Sequence, residues 1–296
     1  MRYRRHQIMT APAAPRAELW RLALGLVLCV VIWFGLAREI VGLLGSVMQG
    51  DAYLSLLEQL QTGTTPQSLL LVLLLTGAVG VGAMMVAEML HDRPGLSLLG
   101  PWRLFRWDFL RVTGALVVLN MAVLMLPPWD LLTSTRPGLP LDTWLLCLPA
   151  TLVVVFVQTG AEEVFFRGYF QSQLAARLRH PAIWLGGPSL AFGLGHYMPG
   201  VYGDNAMMVA GWSALFGLAA ADLTARSGSL GPAVALHFVN NVLVFAGVSM
   251  SGEMSGLALR QWPFGPDDTA DIAALLPLDL AMIGLSWLTA RVALRL

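Results

Sequence analysis

Apolar stretches of roughly 20 residues, the helix length that crosses about 30 Å of hydrocarbon, recur along the chain at about 20–46, 66–90, 109–128, 143–178, 182–198, 205–225, 229–250 and 272–294. Eight of them in 296 residues predict an all-α fold, a polytopic integral membrane protein of about eight transmembrane helices. Composition agrees, since only 12% of residues are charged and 56% are hydrophobic, far from the roughly one quarter charged of soluble domains. The breaks hold turn chemistry: Pro66, "HDRPG" (91–95), "LPPWD" (126–130), "RPGLP" (136–140), "RHP" (179–181), "MPGVYGDN" (198–205) and "RSGS" (226–229). Trp20, Trp102, Trp107, Trp129, Trp144, Trp184 and Trp262 fall near predicted ends, as an interfacial aromatic belt requires.

The 18 basic residues are all arginine and balance 18 acidic ones. With no charge run, nothing in the chain suits nucleic acid. Counted by alternate loops, Arg38, Arg136 and Arg260 lie on one side, Arg167 lies within the membrane, and the remaining 14 of the 18 share the other side. The positive-inside rule makes that side cytoplasmic and puts both termini there. The basic start, followed by an apolar segment without a small-residue cleavage site, reads as an uncleaved first span. An arginine-only chain with short loops suggests a bacterial inner (plasma) membrane protein. Cys29 and Cys147 stand alone in apolar segments, with no metal-ligand spacing and no disulfide framework.

"AEEVFFR" (161–167) breaks the pattern. Three charges facing lipid would cost on the order of 8–10 kcal/mol, so Glu162, Glu163 and Arg167 must face protein or water. Glu163 and Arg167 are four apart, in the order that favours an ion pair, which leaves Glu162 as a candidate base. A buried structural network fits "EEVFFR" equally well. His196 in "FGLGH", and His237 with Asn241 in "HFVNN", favour chemistry over that alternative. At about 1.5 Å per residue, Glu162 lies roughly 27 Å before the "RHP" turn and His196 roughly 24 Å after it. His237 is only about 12 Å from its own turn, so all four meet only if the "RSGS" turn sits higher than the "RHP" turn.

These three segments, "EEVFFR", "FGLGH" (with Phe192) and "HFVNN", resemble in order and spacing the motifs of the CPBP (CAAX-processing and bacteriocin-processing, ABI domain) intramembrane proteases. The resemblance implies an intramembrane endopeptidase, CAAX prenyl protease 2-like, that hydrolyses a peptide bond of a membrane-embedded or membrane-tethered peptide. It implies that Glu162 and His196 hold and deprotonate water, that His237 and Asn241 stabilise the oxyanion, and that Glu163, Arg167 and Phe192 support them. The chain then divides into a cytoplasmic segment (1–19), three N-terminal helices (20–128), a catalytic core (143–250) and a C-terminal helix (272–296).

A metal-free reaction is expected. Zinc is the alternative, with Glu162, His196 and His237 as ligands, but there is no HExxH pair and Arg167 is expected to occupy Glu163, the carboxylate that would orient an imidazole. A non-catalytic scaffold or immunity protein is the competing function, and a proton-coupled transporter is a third, weakened by the absence of an internal repeat. Bilayer lipid and a membrane peptide are the expected partners; nothing indicates the oligomeric state. His180 is expected to end a helix, His6 and His91 to be solvated, Asp222 to pair with Arg226, Asp279 to make a helix contact, and Gly80, Gly82, Gly193, Gly195 and Gly217 to serve close helix packing.

Overall fold

The computed structural model describes residues 3–127 and 134–296. Arg2, Trp129 and residues 128–130 of the "LPPWD" turn lie outside the described residues. The main helices are α1 (Leu19–Val47), α2 (Gly50–Thr62), α3 (Pro66–His91), α4 (Trp102–Leu124), α5 (Leu141–Glu163), α6 (Pro181–Gly195), α7 (Ala206–Ser227), α8 (Gly231–Val242) and α9 (Thr269–Leu294). α5 runs on through a wide π-type turn, Val164–Gln171, into Ser172–Arg177, and α8 runs on through a second, Leu243–Gly247. The chain is an all-α polytopic membrane protein in which six helices are long and apolar enough to cross a membrane.

The eight apolar stretches all become helices, of which six are long and apolar enough to cross a membrane by length and composition. α6 has 15 residues and reaches only about 22 Å, and Gly231–Gly247 is likewise short. Residues Gly231 to His237 are buried without interruption, as expected of a helix inside a bundle that is apolar on all sides. α2, in the connection between the first two spans, is an addition. It carries Asp51 in its first turn and stops at Gly63, whose φ of +63° suits glycine.

Helix ends follow local chemistry. Thr65 and Ser68 form a reciprocal cap with Pro66 in the first turn of α3. Close approach is set by small residues: a Cβ on Gly80 would lie 2.8 Å from the Ala161 Cα, so α3 and α5 touch backbone to backbone beside Glu162. Gly82 meets Cys29 and Gly193 meets Ala210, whereas a Cβ on Gly195 would find nothing within 4 Å, so that glycine serves no packing.

The N-terminal segment folds against the bundle instead of trailing from it, and this overturns several expectations. His6 is 4% exposed, with its ring 4.8 Å from Trp184, and His91 is 2% exposed, bonded to Tyr169 Oη (2.8 Å) and the Arg16 carbonyl (2.7 Å). Neither is solvated, and Trp184 is buried under Tyr3 and His6 instead of joining an interfacial belt. Burial and the neighbouring Arg93 cation lower the His6 pKa to about 4. His180 does not end a helix but begins one, its Nδ1 accepting from the Ala182 N–H at the start of α6. Asp222 binds Arg226 (2.7 Å) as expected, and also Tyr3 Oη (2.8 Å) and Trp287 Nε1 (3.0 Å), which joins the N-terminal segment to α7 and α9.

At the other end of the bundle lies a small three-stranded sheet in the order β1–β3–β2, made of β1 (Arg136–Pro137), β2 (Val248–Ser249) and β3 (Arg260–Gln261). β1 is antiparallel to β3, with Arg136 opposite Gln261, and β2 is parallel to it, with Val248 opposite Arg260. The strands are two residues long, so the fold class stands. The segment after β2 is tied to the end of α2 by the Met254 N–H on the Thr62 carbonyl and the Gly256 N–H on the Gly63 carbonyl.

Candidate active site

The "RSGS" turn does sit higher than the "RHP" turn. Cβ atoms built on Gly168 and Gly228 would meet Leu230 and Arg5 respectively, so the α7–α8 turn is level with Gly168, nine residues before Arg177, and the N-terminal segment fills the space beneath. That offset lifts His237 to the level of Glu163.

Glu163 and Arg167 are both fully buried and paired at 2.8 Å. The same Glu163 oxygen, Oε1, accepts from His237 Nδ1 at 2.9 Å. Arg167 also donates to the Gly217 carbonyl (3.1 Å) and stacks over Phe192, 4.7 Å from its centroid. A Cβ at Gly217 would sit 3.0 Å from Arg167 Nη2, so glycine makes room for the guanidinium.

Glu162 is not left without a local partner. Gln158, one turn earlier on α5, donates to Glu162 Oε1 at 2.6 Å. Gln158 Oε1 accepts from Asn241 Nδ2 (2.9 Å), and Asn241 Oδ1 accepts from Asn240 Nδ2 (3.1 Å). A carboxylate only accepts, so Glu162 sets the direction of this amide chain and leaves Asn241 with one uncommitted N–H. Glu162 Oε2 is enclosed with no hydrogen-bond partner among the described residues and lies 3.7 Å from His237 Nε2. Gln158 escaped the sequence reading, although its place four residues before Glu162 was a signal.

Glu162, Glu163, Arg167, His237 and Asn241 are thus joined in one network, and His196 is not part of it. His196 sits at the end of α6, where Nδ1 donates to the Phe192 carbonyl at 2.8 Å. The Phe192 ring stands between the two imidazoles, 4.6 Å from His196 and 5.8 Å from His237. Both histidines therefore carry their proton on Nδ1 when neutral and present an Nε2 lone pair.

That tautomer suits a metal ligand as well as a base, and Glu163 does orient His237 while also holding Arg167, contrary to expectation. Convergence is lacking, however: among the described residues no group of three His, Cys, Asp or Glu side chains could hold a metal ion. Of the other residues, Cys29 is buried, Cys147 half-buried and both are unpaired, and Asp279 makes no helix contact through a hydrogen bond or ion pair among the described residues.

Fold and site together define a polytopic helical membrane protein with a buried carboxylate–imidazole–amide network at its centre. Residues 143–243, from α5 into the end of α8, match the family described as type II CAAX prenyl endopeptidase Rce1-like, which bears out the CPBP resemblance. No curated protein and no solved structure matches the chain.

Proposed function

We propose that the chain is an intramembrane endopeptidase of the CAAX-processing type, hydrolysing a membrane-embedded or membrane-tethered peptide with Glu162 as the base. The observation that carries the reading is the Glu162 carboxylate itself. One oxygen is held by Gln158 and the other is free beside His237 Nε2. A water against Glu162 Oε2 and His237 Nε2 meets two acceptors, loses a proton to Glu162 and adds to the scissile carbonyl; the C–N bond then breaks as the amine leaves with the proton that Glu162 took up. The uncommitted N–H of Asn241 is the donor for the oxyanion. The neutral histidines, each with a lone pair on Nε2, suit water and proton handling, so oxyanion stabilisation by His237 requires its imidazolium form. His196, with its ring 4.6 Å from Phe192 and its Nδ1 on the Phe192 carbonyl, is assigned proton transfer by the motif resemblance and not by a contact with Glu162. The family match over this segment supports the reaction class.

Glu162→Gln keeps shape and most hydrogen bonding. Cleavage of a membrane-anchored peptide by the purified protein should fall by at least about 10³-fold with thermal stability unchanged; turnover near wild type would remove Glu162 from the mechanism. Activity should also survive exhaustive chelation. Loss on chelation with recovery on adding zinc would recast Glu162, His196 and His237 as ligands.

A further inference from the structure

A second polar feature lies on an exposed face of α9, outside the network of Glu162. Asp279, ten residues into α9, has no hydrogen-bond or ion-pair partner among the described residues. It lines a cavity of about 220 Å³ between α4, α7, α8 and α9, together with Asn120, Trp212, Asn240 and Ser286. Ser286 lies seven residues after Asp279 and so on the same face of α9. The rest of the lining, Phe216 included, is apolar.

The cavity touches the candidate active site at two points. The Phe216 ring is shared, since it lines the cavity and lies 5.3 Å from the His237 ring. Asn240 is shared as well, because it lines the cavity and donates to Asn241. We propose that the cavity is a subsite for a basic side chain, lysine or arginine, of the peptide on which the Glu162 site acts, with Asp279 pairing its cation. This rests on the peptidase reading.

The lining chemistry selects that ligand. Asp279 is exposed at a cavity whose walls combine apolar side chains with a few neutral polar ones, and such a carboxylate matches a side chain with an aliphatic stem and a charged tip. Trp212 Nε1 is enclosed with no hydrogen-bond partner among the described residues, and an indole only donates, so an occupant that reaches it brings an acceptor. A peptide residue supplies both, a cation and a backbone carbonyl. A bare metal ion supplies no acceptor for the indole, and besides the one carboxylate of Asp279 the lining offers it only the neutral side-chain oxygens of Asn120, Asn240 and Ser286. Trp212 stacks on Phe216 at 5.6 Å, so the wall between cavity and site is aromatic and suits a passing cation.

The test uses one membrane-anchored peptide carrying lysine, or its neutral analogue norleucine, at successive positions around the scissile bond. Wild type should favour lysine at one position by about tenfold or more in kcat/KM, the scale of one charge-assisted hydrogen bond. Asp279→Asn should lose that preference while still cleaving the norleucine peptide, and Asp279→Glu should keep it. No lysine preference at any position, or equal loss on both peptides in Asp279→Asn, overturns the proposal. A second arm needs no catalysis: hexylammonium, compared with hexanol, should raise the melting temperature of wild type and not of Asp279→Asn. An equal shift in both proteins, or none, overturns the cation pocket. If wild type cleaves no peptide while the Asp279-dependent shift appears, the peptidase reading fails and the cation pocket stands.

Discussion

Two arginines, Arg93 and Arg167, are completely enclosed, and their surroundings differ in kind. Arg93 is 1% exposed and spends its donors on neutral oxygens: Ser97 Oγ (3.0 Å), Ser172 Oγ (2.7 Å), Gln173 Oε1 (3.3 Å) and the Met9 carbonyl (3.1 Å). Burial draws its pKa down to about 10, which leaves it cationic at neutral pH. Arg167 has the Glu163 carboxylate, the Gly217 carbonyl and the Phe192 ring. Dipoles alone therefore suffice to keep a buried guanidinium in this bundle. The carboxylate beside Arg167 is present for another reason: Glu163 Oε1 bonds both the Arg167 guanidinium and His237 Nδ1, and so aligns the imidazole.

Removing each arginine tests that difference. Arg167→Ala strands Glu163 as an uncompensated buried charge, so stability should fall by about 3–5 kcal/mol, and peptide cleavage should disappear with it. Arg93→Ala leaves only neutral acceptors unsatisfied. Its loss should be about 1–3 kcal/mol, with kcat of the folded fraction retained. Thermal melts alongside cleavage assays decide, and equal kcat losses in the two variants would erase the distinction.

Gln158→Leu sharpens the functional side. It breaks the amide chain between Glu162 and Asn241, takes from the Glu162 carboxylate its hydrogen-bond donor, and should lower kcat about 10- to 100-fold, a barrier change of about 1.4–2.7 kcal/mol, with KM little changed. An unaltered kcat would show that the chain is only packing.

The smallest effect expected is on the Arg93 side. His6 has a folded pKa of about 4 against 6.5 unfolded. The unfolded chain binds the extra proton between those values, so the stability it contributes is complete above pH 6.5 and declines as pH falls towards 4. Between pH 6.5 and 5.5 the loss should be about 1 kcal/mol. His6→Phe should flatten this part of the pH–stability curve, and an unchanged slope would place the titrating group elsewhere.

Much of this was legible in the residues. The Glu163–Arg167 pair followed from a spacing of four on one helix, and the Asp222–Arg226 pair from the same rule. His6, His91 and Trp184 were misjudged because their burial depends on a basic segment folding back onto the bundle, through contacts between residues far apart in sequence, such as Arg16 with His91 and His6 with Trp184. Hydropathy windows report whether a helix is apolar, not where it ends or whether it lies against lipid or protein, so the shortness of α6 and the burial of α8 could not be read from them. Gln158 was overlooked because a lone amide in an apolar run carries no charge cost.

The sequence by itself determined the all-α membrane class, the order of the helices and the chemical types gathered in the three motifs, because hydrocarbon forces every backbone polar group into a helix and makes each intramembrane charge conspicuous. The tertiary structure alone decided which of those groups touch. The height of the α7–α8 turn brought His237 to Glu163, the carboxylate of Glu162 directed the amides of Gln158 and Asn241, and the packing of α9 on α4 and α7 turned Asp279 into a cavity. Helix periodicity fixes the face on which a side chain stands; relative depth and rotation of separate helices depend on turns, glycine contacts and a terminal segment that no local pattern encodes.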